Sequence, residues 1–539
     1  MTHASDPPPR GTNATMTPTN GAIATPHRLA TRAGELAFRS GGTAVDAALA
    51  AAATLAVVYP HNTGIGGDLV AIVRDPDGRL HGVNATGWGA ERESLEQLVD
   101  RYGAEIPRRG VGPITVPGAL RGWAVLAEVG ARLGRSAHLG TAIEAARDGV
   151  TVSSSLAMCL AAEWATLDDP DARAALGIED RPLRRGERLM QPALARTLEL
   201  LERDGFDAFY EGELADEVVS GLAAKGARFT AQDFASFAAD RTDPIGIDWR
   251  GLRVSTLGPN TQGFGLLRAA AALDTSEREA PELIARLFSE ANHLRDTALG
   301  DPRHAPVDIA PLVHGDVDLP EPATVPDPRL ARGDTIGIAA ADAEGWAVSL
   351  VQSQFHLFGS GVYDPGTGIL FHNRGYSFSL DAAAPGRFGP RVRPAHTLMP
   401  VVVTDAAGEP AFVQATMGGK AQAQIHTQLL LRLAGGASAA EAVAAPRWTV
   451  GAYAPGDRSD SVYAEADVPD EVVARLHDEG YPIVTVPPLT EMLGHSNVVR
   501  RVGTGFDAAA DPRSDGAAYV AAPAEGEDLE GAEAVQRAG

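Results

Sequence analysis

Two hydroxyl residues, Thr335 and Ser353, fall on the arms of what reads as one β-hairpin. Thr335-Ile336-Gly337-Ile338-Ala339-Ala340-Ala341 and Trp346-Ala347-Val348-Ser349-Leu350-Val351-Gln352-Ser353 are strand-prone, and Asp342-Ala343-Glu344-Gly345 joins them. A three-residue loop with Gly345 in the left-handed position of a bulged turn sets Asp342 opposite Trp346. Thr335 then lies opposite Ser353, although residue type alone makes Thr335 an ordinary strand threonine. Other candidates fail on pattern. Gly494-His495-Ser496-Asn497-Val498 lacks the closing glycine of a nucleophile elbow. The glycine-rich turn Pro60–Asp68 follows a helix and precedes a strand, whereas a phosphate-cradling loop needs strand, turn, helix. Close backbone approach in a packed turn explains its glycines better. A lone cysteine, Cys159, permits neither an intrachain disulfide nor a Cys-rich zinc site. No metal-ligand spacing is visible, and no cofactor is expected.

The elements that must position such residues belong to a chain of 539 residues, long enough for about three to four domains or one large elaborated core. Apolar residues make up 44 % of it, which excludes disorder throughout. The 46 Lys and Arg against 70 Asp and Glu leave a net charge of −24, which argues against a nucleic-acid partner and against an anionic membrane surface. The N-terminus lacks a basic segment followed by an apolar one, and no run reaches the roughly 18 apolar residues of a membrane span. A cytoplasmic protein is the simplest expectation. Residues 1–26 read as a disordered leader, and the Ala/Glu/Gly-rich tail from about 522 to 539 likewise. Ala44–Val58 reads as a buried helix capped by Thr43, followed by a strand at 69–73. Helices fill about 120–225, with Gly149, Gly205 and Gly226 at their stops. A strand pair at 243–257, a loop at 258–263 and further helices to about 299 follow. Residues 301–334 are dense in Pro and Asp and read as an exposed linker ending at Thr335. Strands at about 398–404 and 411–416 lead through Gly418-Gly419 into a helix at about 420–435.

Ten segments in this order resemble the γ-glutamyltransferase family of autoprocessing N-terminal-nucleophile hydrolases, over about residues 27–500. They are residues 41–68, 113–119 (PITVPGA), 146–150 (ARDGV), 209–215 (FYEGELA), 258–264 (GPNTQGF), 333–342 (GDTIGIAAAD), 358–375, 393–400 (RPAHTLMP), 417–422 (MGGKAQ) and 445–451 (APRWTVG). The resemblance implies a four-layer αββα sandwich of mixed α/β class. It implies self-cleavage between Asp334 and Thr335, giving a large subunit (27–334, behind the leader) and a small subunit (335–539) that stay together as a heterodimer. Thr335 would be the nucleophile. Its freed α-amine, with an ordinary pKa of about 7.7–8.0, could take the proton from its own hydroxyl. Ser353 matches a family threonine that supports the nucleophile. Gly418 and Gly419 match the glycine pair whose amides hold the oxyanion. His396-Thr397 replaces a serine pair that positions substrate.

The recognition residues depart from the family. The arginine that holds a γ-glutamyl α-carboxylate matches Thr86. The asparagine, the glutamine or glutamate, and the aspartate that hold its α-amine match Phe355, Arg374 and Ser377. The ammonium-binding anion is therefore missing and a cation stands in its place. The reading that follows is an amidohydrolase or acyltransferase for a small-molecule amide whose acyl group carries a carboxylate, paired by Arg374, as in oxamate amidohydrolase-like and acylase-like members. The alternatives are a true γ-glutamyltransferase acting on glutathione, and an unprocessed relative that only binds.

Overall fold

The computed structural model describes residues 18–274, 279–325 and 334–521. In chain order the strands of its two large sheets are β1 (Gly21–Thr25), β2 (Asp68–Arg74), β3 (Leu80–Ala85), β4 (Asp240–Thr242), β5 (Ile245–Trp249), β6 (Leu252–Thr256), β7 (Asp334–Asp342), β8 (Ala347–Phe355), β9 (Val401–Thr404), β10 (Pro410–Thr416), β11 (Ser496–Val502), β12 (Gly505–Ala510) and β13 (Ala517–Val520). A seven-stranded sheet runs β13-β1-β7-β8-β2-β3-β4, and a six-stranded sheet runs β12-β11-β10-β9-β6-β5. Pairing within both is antiparallel. Each sheet mixes strands from both sides of the Asp334–Thr335 bond.

The two sheets stack face to face. Small side chains let them approach: Ala339, Ala341 and Ala347 meet Val413, Ala415 and Val499. At Gly337 even a methyl is excluded, since a Cβ there would lie 2.6 Å from the Ala415 carbonyl carbon. Ser349 ties the layers, its hydroxyl donating to the Gln414 carbonyl at 2.7 Å and accepting from the Val401 amide at 3.0 Å. Covered on both faces, β7 and β8 can be apolar almost throughout.

Helices α1 (Arg28–Arg39) and α2 (Ala44–Val58) cover the first sheet, while α3 (Phe264–Asp274), α4 (Pro281–Ala298) and α5 (Gln422–Ala434) lie on the side of the second. The result is the expected αββα sandwich. Every residue of α2 is buried, so its alanines give a close helix-on-sheet seat. Thr43 and Asp46 form a capping box at its start. Asp46 also accepts from the Arg132 and Leu133 amides and contacts His138 Nε2 at 2.7 Å, which explains an acid inside an apolar run. No described helix is long and apolar enough to cross a membrane.

The hairpin has the expected register, with Thr335 opposite Ser353 and Gly345 at φ +100°. The expected disordered leader 1–26 does not hold for its last residues. Gly21–Thr25 is a fully buried strand between β7 and β13, because its short Ala-Ile-Ala run gains two pairing partners that local composition does not reveal. Residues 1–17 and the expected tail 522–539 lie outside the described residues. The 301–334 stretch is not wholly a linker either: Ile309–His314 is helical and sends Leu312 and Val313 into the core. Thr324 bridges to Arg458 as a short strand contact. Residues 326–333 are not described.

Candidate active site

The site begins at the N-terminal end of β7. In the uncleaved chain a line of hydroxyls runs along the Asp334–Thr335 bond. Thr335 Oγ1 donates to Ser353 Oγ at 2.9 Å, and Ser353 Oγ donates to the Asp334 carbonyl at 2.7 Å. The Phe355 amide donates to the same Ser353 oxygen at 2.7 Å, which leaves that hydroxyl one orientation. Thr335 and Ser353 are buried, at 1 % and 0 % exposure, so these bonds work with little competition from water.

The pairing register shifts between Asp334 and Thr335, where Asp334 faces Phe355. Phe355 takes φ +76°, a conformation that costs a bulky residue energy and gathers at working sites. The Asp334 carboxylate accepts from the Leu357 amide at 2.8 Å. Asn62, which sequence reasoning passed over, donates from Nδ2 to the Thr335 carbonyl at 3.3 Å.

A second cluster surrounds Asp68, the last residue of the glycine-rich turn. Its Oδ1 accepts from the Gly87 amide at 2.9 Å. Its Oδ2 lies 3.0 Å from Arg374 Nε, 3.0 Å from His396 Nε2 and 3.3 Å from His372 Nδ1. Burial opposes a charge at Asp68, but His372 and His396 outweigh it and hold its carboxyl well below the usual range. Burial lowers Arg374 to about 10 despite Asp68, which still leaves it charged at neutral pH. The guanidinium carbon of Arg374 lies 4.0 Å from the centre of the Phe355 ring, and Nη1 donates to Thr397 Oγ1 at 3.4 Å. Nη2 is buried without a hydrogen-bond partner.

This cluster alters three expectations. The pocket does contain an anion, Asp68, but its oxygens are already taken by donors of the protein. His396 has no nitrogen left for a substrate. Its Nδ1 accepts from the Leu398 amide at 3.2 Å, its Nε2 meets Asp68, and burial lowers its pKa to about 3, so it stays neutral. Arg374 is not free on all sides, since its Nε edge is bound to Asp68. The guanidinium and the two imidazoles converge on one carboxylate oxygen rather than around an empty point. Among the described residues no group of His, Cys, Asp or Glu is placed to hold a metal ion.

The remaining candidates divide. Thr397 joins the cluster through Arg374. Thr86 is adjacent to Gly87, but its hydroxyl donates to Asn84 Oδ1 at 2.7 Å and accepts from Asn260 Nδ2 at 3.3 Å, so it is engaged within the protein. Ser377 lies at the far end of the 3-10 turn Arg374–Ser377, partly buried. Gly418 and Gly419 follow β10. Gly337 lies against the backbone of Ala415 and Thr416, just before this pair. Gln262 Nε2 braces the turn, donating to the Gly419 carbonyl at 2.8 Å and the Thr397 carbonyl at 2.6 Å. The glycines of the 64–67 turn are explained by contact: a Cβ at Gly67 would lie 2.4 Å from the Ser353 carbonyl oxygen, so this tight turn delivers Asp68 beside β8.

A further polar group, centred on Glu491, feels the charge of Asp334. Glu491 Oε1 accepts from Ser155 Oγ at 2.6 Å and from the Tyr59 hydroxyl at 3.4 Å. Burial chiefly, aided by the charges of Asp334 and Asp515, raises Glu491 to about 7.

Comparison with known proteins places this geometry. The model of the gamma-glutamyltranspeptidase family matches residues 30–521. The oxamate amidohydrolase proenzyme of Klebsiella pneumoniae subsp. pneumoniae is 33 % identical over 527 residues, covering 93 % of this chain and 98 % of that protein. The glutathione hydrolase-like YwrD proenzyme of Bacillus subtilis is 33 % identical over 531 residues, covering 94 % and 99 %. The crystal structure of cephalosporin acylase from Bacillus halodurans superposes with a TM-score of 0.85 at 30 % identity, covering 97 % of this chain and all of that one.

Proposed function

The chain belongs to the gamma-glutamyltranspeptidase family, and from that premise we propose that it is an amidohydrolase that cuts its own Asp334–Thr335 bond and then works through a threonyl acyl-enzyme. One observation carries the reading: the hydroxyls of Thr335 and Ser353 are aligned on the carbonyl of the bond to be cut. In the first reaction Thr335 Oγ1 attacks the Asp334 carbonyl carbon, with Ser353 donating to the carbonyl oxygen as charge develops there. The bond to nitrogen breaks, nitrogen takes a proton, and water hydrolyses the resulting ester. The products are an Asp334 carboxylate and a free Thr335 amine, giving residues 1–334 and 335–539 as the two subunits.

The same hydroxyl then serves the substrate. The Thr335 amine accepts the hydroxyl proton as Oγ1 attacks an amide carbonyl, and the proton passes to the departing amine. The Gly418 and Gly419 amides hold the oxyanion, and water releases the acid from the ester. The relatives named as an oxamate amidohydrolase and a cephalosporin acylase support an amide substrate. Arg374 supports an acyl group that bears a carboxylate, since its buried Nη2 has no partner within the protein.

The test is intact mass under denaturing conditions, with and without Thr335→Ala. The expected result is two chains that part between 334 and 335 for the natural sequence, and one uncut, inactive chain for the variant. A continuous natural chain that still hydrolyses amides overturns the proposal.

A further inference from the structure

We propose that Asp68 is the positioning residue that limits this enzyme to monoamides of short dicarboxylic acids, an inference that rests on the threonyl acyl-enzyme reading. Thr335, Ser353 and Asp68 are successive partners across β7, β8 and β2. Partners across a ladder project from one face of a sheet. The reacting hydroxyl and the Asp68 carboxylate therefore stand on the same face, with their backbones about 10 Å apart across two strand spacings. Arg374 overhangs the interval, bound to Asp68 through Nε and lying against Phe355, which faces Asp334.

Asp68 does two things there. It orients the guanidinium so that its unpartnered Nη2 is the edge left for a ligand. It also removes itself as a site for a substrate ammonium, because Gly87, Arg374 and His396 occupy its oxygens. Because Arg374 is held in place beside Asp68, an acyl chain joined to Thr335 Oγ1 can set its terminal carboxylate on the guanidinium only within a limited length. In the uncleaved chain Arg374 is fully buried beside Phe355, which pairs with Asp334.

The processed enzyme is assayed on monoamides of dicarboxylic acids of two to eight carbons, each against the neutral amide of matching length. The expected result is preference for the carboxylate-bearing member at short lengths, lost in the longest. In Asp68→Asn that preference, as a ratio of kcat/KM values, falls about tenfold or more, chiefly through KM. An unchanged ratio with both amides slowed alike means a structural role and overturns the inference. Should the variant not fold, competitive inhibition of the unaltered enzyme decides: short dicarboxylates must inhibit at least about tenfold better than monocarboxylates of equal length. Equal inhibition overturns it. Mass of the 335–539 chain during turnover separates the two levels. An acyl adduct without carboxylate preference sinks only the Asp68 inference, whereas no adduct with any amide sinks the reading beneath it.

Discussion

A single oxygen, Asp68 Oδ2, illustrates how far a residue's role depends on its partners. From residue types, Asp68 closes a glycine-rich turn and Arg374 is an unattached cation. Their contact joins positions 306 residues apart and becomes visible only when β2 and the segment after β8 are folded together. The same holds for His396, whose neighbours disarm it as a ligand. Glu491 is a residue whose charge the fold resists. Its carboxyl titrates near 7 in the folded chain against an ordinary 4.5. Between those values the folded state keeps a proton that the unfolded state has released. Stability therefore falls as pH rises from about 4.5 to about 7 and then levels, by at most about 3 kcal/mol. Glu491→Gln retains an oxygen for Ser155 and Tyr59. Compared in the same processing state, it should match the natural protein in thermal unfolding near pH 5 and exceed it near pH 8. A shift of equal size at both pH values would assign Glu491 no such role.

At the scale of elements, the legible parts were those whose determinants are local. The β7–β8 hairpin follows from Gly345 and the flanking strand formers. The limits of α2 follow from Thr43, the alanine run and the break at Tyr59. Gly149, Gly205 and Gly226 take φ of +78°, +96° and +95°, as helix stops require. What was hidden depends on the stacking of layers. Gly21–Thr25 carries too little pattern to announce a central strand, and Leu312 and Val313 are two apolar residues in a polar stretch that find a core only after the sheet is built. Gly337 belongs to the same class, reading as a strand glycine until β10 is laid against it. Its replacement gives a direct test of the inter-sheet contact. Gly337→Ala must push the sheets apart or bend β7, at a cost of about 1–3 kcal/mol. A denaturant midpoint unchanged from the natural protein would show that the layers yield freely there.

For the whole molecule, the decisive feature is that neither sheet belongs to one side of residue 334. β7 and β8 lie between β1 and β2, while β5 and β6 complete a sheet otherwise built from later strands. Cleavage should therefore leave the two pieces eluting together in size-exclusion chromatography under native conditions and parting only in denaturant. Separation without denaturant would contradict this interleaving. It also gives the molecule a history. Before the cut, collapse is a unimolecular event, with every strand tethered to its neighbours. Afterwards two polymers at cellular dilution would have to meet and rethread. Loss of structure in a cleaved form would then be a one-way passage, governed by the height of the unfolding barrier rather than by equilibrium.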